Sequence, residues 1–323
     1  TYWMNGANKF IEMDSSYAQV DSFVTGNGYF PDLHDLLLLP NGHALLLAYD
    51  YQFVGMDTVV AGGDPSASVI GLIVQELDEN KNVVFQWRSW DHFKIIDASV
   101  SPEVNLLGST IDYVHGNSVE MMQDGNLLIS SRHMNELTKI DRQTGDVLWR
   151  MGKNALNNEF TFPNDTRGWS HQHDARILPN GHLTLFDNNL SPEYSRALEF
   201  ELDEENLVAT KVWQYRHVPD VYGGFMGNVQ RHPDGSTTIG WGGTFYPPSV
   251  TDLHADGTVA SEFRLPFGVV NYRAFRFPWR TTRMLAEVQE LDVIAPAVGS
   301  SFGTTFKVWN NWDHPISIDC LRT

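Results

Sequence analysis

The chain has 323 residues, of which 42% are hydrophobic, so it is long enough to bury a sizeable core in one or two domains. Its formal net charge is −18, and a surface this acidic repels phosphate backbones, which makes nucleic acid a poor partner. No apolar run reaches the ~20 residues that a membrane-spanning helix needs, and the single cysteine excludes an intramolecular disulfide.

Alternating segments dominate the chain from its beginning. Three short ones, TYWM, NKFIEMD and AQVDSFV, predict strands. A second pattern then occurs four times: a polar start, an alternating strand, an Asn-Gly or Asp-Gly turn and a second strand. Asn-Gly and Asp-Gly predict short hairpins, because both residues tolerate positive φ. The four copies begin at His34, His115, His173 and Gly227.

Each of these hairpins is followed by another one. Two hairpins make four strands, which is one propeller blade, so the sequence predicts an all-β propeller of four-stranded blades. The segment 272–279 is predicted to supply one more inner strand, which brings the count to five blades. We expect the propeller to occupy 1–283 and a short C-terminal β element of no assigned role to occupy 284–323. The second hairpins lie at 72–87, 137–152, 196–215 and 249–265.

Histidines recur where the predicted inner strands begin. His34 and His173 each lie eight residues before the turn glycine of their hairpin, and His115 lies ten residues before its glycine. Inner strands begin near the propeller axis on one face, so these side chains are predicted to share one axial site. Arg132 ends the strand that pairs with the His115 strand, and antiparallel pairing should return it to the same end.

Three imidazoles and one guanidinium suit an anionic ligand. Arginine offers a planar fork to oxyanions, and imidazoles donate hydrogen bonds or act as nucleophile, acid or base near neutral pH. His171, two residues before His173, is a neighbouring candidate. Three further polar side chains are predicted to orient the histidines: Asn117, Asp174 and Asn188.

A metal centre is the main rival interpretation of this cluster. Three histidines from separate strands are a ligand set for zinc or copper. Arg132 in the same cavity would repel a cation, so we predict no metal among the site residues and no required cofactor. The sequence leaves open a structural calcium ion in the axial channel.

The order of these motifs resembles the arylsulfotransferase family, and within it the divergent arylsulfotransferase-like branch. The motifs are YVHGNSV, DGNLLISSR, LTKIDRQTGDVLWRMG, SHQHDARILPNGHLTLFDNN and YSRALEF, and the resemblance covers roughly residues 25–280. It implies a propeller, usually six-bladed, that moves a sulfuryl group from a phenolic sulfate ester to another phenol without the nucleotide donor PAPS. It also implies that His173 carries the sulfuryl group, while Arg132, His115 and His34 neutralise sulfate oxygens or protonate the leaving phenolate.

Two other functions stay open on the same scaffold. One is a lyase or hydrolase acting on an anionic saccharide, in which Arg132 neutralises a carboxylate and a histidine abstracts a proton. The other is a non-catalytic ligand-binding propeller. The resemblance further implies a secreted or periplasmic protein, although no signal peptide is visible in this chain. The expected partners are an aryl sulfate donor and a phenolic acceptor, and the oligomeric state is left open.

Overall fold

A computed structural model describes residues 2–4, 9–14, 16–190, 194–246 and 248–277, together with two later strands. The chain divides into two compact units. The larger unit contains Trp3–Phe10 and Phe23–Arg276 and holds every blade and every site residue discussed below; the smaller contains Thr1–Tyr2, Ile11–Ser22 and Phe277–Thr323. The domain boundary at residue 283 stays a prediction.

Four sheets of the larger unit have the strand pattern of propeller blades. Each is built from two consecutive hairpins, so strands that follow one another in the chain are hydrogen-bonded neighbours. The first blade contains β4 (Phe30–Leu38), β5 (Ala44–Val54), β6 (Ala67–Leu77) and β7 (Val83–Arg88), with β8 (Thr110–Asp112) parallel to β6. The second contains β9 (Gly116–Met121), β10 (Leu127–Ser131), β11 (Glu136–Ile140) and β12 (Val147–Met151).

The next two blades repeat this order. The third contains β13 (His173–Ile177), β14 (Leu183–Asp187), β15 (Arg196–Asp203) and β16 (Val208–Tyr215). The fourth contains β17 (Asn228–Arg231), β18 (Thr237–Gly240), β19 (Val250–Leu253) and β20 (Val259–Phe263). The inner strands of successive blades, β4, β9, β13 and β17, are spatial neighbours. The prediction of an all-β propeller with four-stranded blades is therefore confirmed.

The remaining elements are short. The N-terminal strands form one sheet in the order β1 (Tyr2–Met4), β2 (Lys9–Met13) and β3 (Gln19–Phe23). Strands β21 (Leu285–Glu287) and β22 (Lys307–Trp309) pair with each other, while the rest of the predicted C-terminal β element lies outside the described residues. Short 3-10 helices occur at Met56–Thr58, Ser89–Asp91, Ile95–Val100 and Arg132–Met134. A search of the described residues for helices that could span a membrane finds no candidate.

The turns of the four repeated hairpins are closed by a left-handed glycine. In these four Asn-Gly or Asp-Gly pairs only the glycine has positive φ, as at Gly42 (+82°) and Gly181 (+86°), whereas both residues of the earlier pair Asn27-Gly28 have positive φ. In the four turns the residue before the glycine keeps negative φ, because its side chain accepts the backbone N–H two residues on: Asn41 bonds His43 at 3.1 Å, for example. The predicted hairpins are present, and of the two turn residues that tolerate positive φ only the glycine adopts it in these four turns.

The core lies between the blades. Successive residues of a strand point to opposite faces, so Leu127 and Ile129 of β10 pack towards the first blade, while Leu128 packs towards the third. The outer tryptophans seal the same interfaces. Trp87 donates to the Gly145 carbonyl of the second blade at 3.1 Å, and Trp149 donates to Glu204 of the third at 2.9 Å. Both tryptophans therefore pack between blades.

Residues 271–277 lie between the fourth and first blades without forming a strand. Ala274 bonds the side chain of Asn228 instead of a strand backbone, and Tyr272 donates from its hydroxyl to the His34 carbonyl at 3.2 Å. The prediction of an inner strand is thus wrong for 272–277, because side chains replace the ladder hydrogen bonds; 278 and 279 lie outside the described residues. Four complete blades are present in the described part of the chain.

A buried ion network, called the axial network below, joins the inner strands next to the histidines. Asp35 of β4 accepts from Arg176 of β13 at 2.9 Å and from Arg273 at 2.8 Å. Asp174 accepts from Arg176 at 2.9 Å, and Glu120 of β9 accepts from it at 3.1 Å. Burial alone would raise the pKa of Asp35, but the charges of the two arginines outweigh it and lower that pKa to about 2. The network therefore ties the first three blades to the segment that follows the fourth.

Candidate active site

Two of the inner strands have an irregular pairing register at their site histidine. In β4 the pairing register shifts between Pro31 and Leu36, so His34 and Asp35 lie in a bulge. A similar shift follows His173 in β13, and Asp174 has a φ of +55°. Bulges redirect neighbouring side chains. In each His-Asp pair the histidine therefore lies in the site, while the aspartate belongs to the axial network.

His173 is buried in the site. Its Nδ1 lies 2.7 Å from the amide oxygen of Asn188 and 3.0 Å from the His171 carbonyl, so Nδ1 carries the proton. Nε2 accepts the backbone N–H of Met226 at 3.2 Å. Burial, followed by the nearby charge of Arg132, holds the pKa of His173 well below its usual value. The ring is therefore neutral at pH 7, with its lone pair on Nε2.

Arg132 lies directly opposite His115. Its backbone N–H donates to the His115 carbonyl at 3.1 Å, which extends the pairing of β9 and β10 by one step. Its guanidinium donates from Nη1 to Glu103 at 2.6 Å and from Nη2 to the Gly224 carbonyl at 3.2 Å. Nε is buried without a hydrogen-bond partner. The structure thus brings the arginine and the histidines into one charged cluster.

His34 and His115 are each anchored by an aspartate. His115 Nδ1 lies 2.6 Å from Asp112, and His34 Nδ1 forms a hydrogen bond with Asp32. The two rings meet edge to face with 4.9 Å between their centroids. An acceptor on Nδ1 fixes the tautomer and leaves Nε2 to act on a ligand. The Asp-x-His spacing of residues 32–34 is a sequence signal that could have identified one of these pairs.

His133 is a site residue that the sequence analysis missed. Its ring centroid lies 4.6 Å from that of His115, and its Nδ1 donates to the Asp112 carbonyl at 2.6 Å. Burial, then the positive charges of its neighbours, lower its pKa to about 4. His133 directly follows Arg132 in a 3-10 turn, so strand alternation alone could not place it in the cluster.

The four predicted supporting residues have different partners. Asn188 contacts His173 and also donates to the carbonyls of Gly223 and Met226 at 2.6 and 2.8 Å. His171 bonds Ser101 at 2.9 Å through Nε2, and burial lowers its pKa.

Neither Asn117 nor Asp174 makes the expected hydrogen bond to a histidine. Asn117 donates to the Gln172 carbonyl at 2.7 Å, because it bridges the second and third blades. Asp174 pairs with Arg176 in the axial network.

A cavity of about 600 Å³ opens beside Arg132. The loop at 220–226 forms one wall, and the same loop supplies the Gly224 carbonyl to Arg132 and the Met226 N–H to His173. A cavity of this volume with aromatic side chains in its wall suits a planar ring as ligand. The aromatic lining residues are Tyr222, Phe225, Phe245 and Tyr246.

One group of side chains in the described part of the chain has the spacing of metal ligands. Ligand atoms of Asp112, His115 and His133 lie within 4.8 Å of one another. His115 and Asp112 are already bonded to each other, and the charge of Arg132 lowers the pKa of His133. The same positive field disfavours a cation, so the donor set fits a metal poorly. The absence of a metal and of a required cofactor stays a prediction.

These features define a class of protein: a β-propeller with buried histidines and an arginine gathered around one end of its axis. Residues 1–254, well over half of the chain, match the arylsulfotransferase (ASST) family. The chain therefore belongs to the arylsulfotransferase family.

Individual relatives are more distant. Arylsulfate sulfotransferase AssT of Escherichia coli O6:H1 is 25% identical, over 73% of this chain and 49% of that protein, so the chain spans about half the length of this curated relative. A Bacteroides caccae protein of unknown function matches with a TM-score of 0.44 at 11% identity, over 83% of this chain and 94% of that chain. Virginiamycin B lyase from Staphylococcus aureus matches with a TM-score of 0.42 at 10% identity, over 81% of this chain and 64% of that chain.

Proposed function

We propose that the protein is a PAPS-independent aryl sulfotransferase that moves a sulfuryl group from a phenolic sulfate ester to a phenolic acceptor through His173. The observation that carries this proposal is the state of His173. It is buried and neutral, its Nδ1–H is held by Asn188, and its Nε2 lone pair lies in the field of Arg132. Family membership supports the reaction class.

In the first half-reaction, the Nε2 lone pair of His173 attacks sulfur while the bond between sulfur and the phenolic oxygen breaks. The phenolate leaves with that electron pair and takes a proton from Nε2 of His115 or His34, which for this step carries a proton on both ring nitrogens while its aspartate holds Nδ1. Arg132 neutralises charge on the sulfuryl oxygens, where it develops. The N–H of Met226, released from Nε2, becomes a further donor to those oxygens.

In the second half-reaction, the acceptor phenol loses its proton to the histidine that protonated the first phenolate. Its oxygen attacks sulfur, and the nitrogen–sulfur bond breaks to restore neutral His173. The electron pairs and protons balance, because the second half-reaction is the reverse of the first with a different phenol. The proposal also includes the secreted or periplasmic location that the resemblance implies.

Intact-mass measurement after incubation with p-nitrophenyl sulfate tests this proposal. We expect a mass increase of one SO₃ group, which disappears on adding a phenol. His173→Ala should abolish the adduct, while His254→Ala, a control in an exposed turn, should retain it. An unmodified mass together with no release of p-nitrophenol would contradict the proposal.

The anchored pairs Asp32–His34 and Asp112–His115 favour one alternative, because a carboxylate on Nδ1 also prepares a histidine to abstract a proton. The corresponding reaction is cleavage of an anionic saccharide, with Arg132 on the carboxylate. An increase in ultraviolet absorbance on uronic-acid polymers, without any SO₃ adduct, would support a lyase. A binding propeller would show neither signal and would keep its ligand after His173→Ala.

A further inference from the structure

The loop between the 3-10 turn Ile95–Val100 and β8 delivers a carboxylate to Arg132. Oε2 of Glu103 accepts from Arg132 Nη1 at 2.6 Å and lies 4.0 Å from His133 Nε2. Oε1 of the same carboxylate lies 3.5 Å from His171 Nδ1. Three nitrogen-bearing side chains from the second and third blades therefore face one pair of oxygens.

Glu103 is an anion in this position. Burial tends to raise its pKa, but the hydrogen bond and charge of Arg132, with smaller contributions from His171 and His133, lower it below the usual value. A carboxylate and a sulfuryl group both present negatively charged oxygens to an arginine fork. The carboxylate thus occupies the position that an oxyanion bound to Arg132 would take.

Its exposure distinguishes Glu103 from the other carboxylates that hold buried arginines. The side chain of Glu103 is 52% exposed and lines the aromatic cavity. The Asp35 side chain, which holds Arg176 and Arg273, is only 4% exposed. Among the described residues, Arg132 has no other carboxylate partner within salt-bridge distance. A half-exposed side chain on a loop can move away, whereas a carboxylate enclosed by two arginines cannot.

We infer that Glu103 is a displaceable internal anion, which occupies an oxyanion subsite formed by Arg132, His133 and His171. A tetrahedral oxyanion binds there by replacing the Glu103 carboxylate, which swings into the cavity. The identification of this oxyanion with the sulfuryl group of the substrate rests on the proposed function, but the subsite itself does not. Competition from Glu103 lowers the apparent affinity, because only the fraction of molecules with an open subsite can bind.

Binding of inorganic sulfate to the full chain, measured by calorimetry at constant ionic strength, tests this inference. Glu103→Gln should bind sulfate about tenfold more tightly than the wild type, because a neutral amide competes poorly with an anion for Arg132. Asp220→Asn is the matched control. Asp220 lines the same cavity but pairs with Arg216, so its substitution should change affinity less than threefold.

The inference is overturned if Glu103→Gln binds sulfate no more tightly than the wild type, or if both variants tighten binding equally through net charge alone. Glu103→Ala, which also removes the hydrogen bond to Arg132, should behave as Glu103→Gln does. Circular dichroism of each variant verifies folding. The calorimetry contains no aryl sulfate, so a negative result there does not bear on the SO₃-adduct assay. Failure of the SO₃-adduct assay, in turn, does not contradict the sulfate subsite.

Discussion

Two charged clusters in the same propeller are built from neighbouring residues. His34 and His173 belong to the candidate site, while the next residues in the chain, Asp35 and Asp174, belong to the axial network. In the network, arginines meet enclosed carboxylates. At the site, Arg132 meets one half-exposed carboxylate. Because both clusters contain a buried arginine Nε without a hydrogen-bond partner, it is the exposure of its carboxylate that equips the site to bind a ligand.

The largest expected difference between the clusters concerns stability. Asp35→Ala leaves two buried arginines without their shared carboxylate and should lower the free energy of unfolding by about 3–5 kcal/mol. Glu103→Ala removes a half-exposed partner and should lower it by less than about 1 kcal/mol. Urea denaturation of both variants at pH 7 measures these values. Equal losses would show that Glu103 is a structural clamp like Asp35.

A smaller effect is expected from the residue that positions His173. Asn188→Ala removes the acceptor from Nδ1 and should reduce kcat on p-nitrophenyl sulfate about 100-fold, because a misdirected ring costs alignment with sulfur. Asn117→Ala is the comparison, since this buried amide bonds the Gln172 carbonyl and no histidine. We expect it to lower kcat less than tenfold. Similar losses in the two variants would assign Asn188 a structural role only.

The smallest expected difference between the clusters is in how the stability of the protein depends on pH. Unfolded His133 gains a proton below pH about 6.5, whereas the folded residue stays neutral down to about pH 4. The unfolded state therefore binds more protons between these values, and stability falls as the pH decreases through this window. The loss from His133 should approach about 1 kcal/mol per pH unit.

His133→Asn keeps a donor for the Asp112 carbonyl and should give a shallower pH dependence of urea denaturation than the wild type. The Asp35 pair should contribute nothing above about pH 5, because there the carboxylate is charged both in the folded protein, where its pKa is about 2, and in the unfolded chain; the comparison of slopes is therefore made between about pH 5 and 6.5. An unchanged slope in His133→Asn would contradict the lowered pKa.

The blades were predictable because their information is local. Each Asn-Gly or Asp-Gly turn joins strands that are adjacent in sequence, and antiparallel pairing then carries Arg132 to the end where His115 lies. Glu103 and Ser101 were not predictable in this way. They come from a connection of more than 20 residues between β7 and β8, whose course depends on the parallel pairing of β8 with β6. The repeated hairpin pattern of the sequence contains no information about a contact made by such a connection.

The final segment of the larger unit shows a related difference. The sequence analysis predicted an inner strand at 272–279. In the structure, Arg273 turns into the axis to reach Asp35, and Ala274 bonds the side chain of Asn228. The preference for strand was overridden by a buried charge 238 positions away in the chain.

The segment with Tyr272 and Arg273 also determines when, during translation, the site can reach its final geometry. The first blade emerges from the ribosome with Asp35 facing an arginine that has not yet been translated. The nascent chain carries His34, His115, Arg132 and His173 long before Arg273 and Tyr272 arrive to brace the first inner strand. Blades can assemble in order of translation, but the histidine cluster reaches its final geometry only after the last blade has left the exit tunnel.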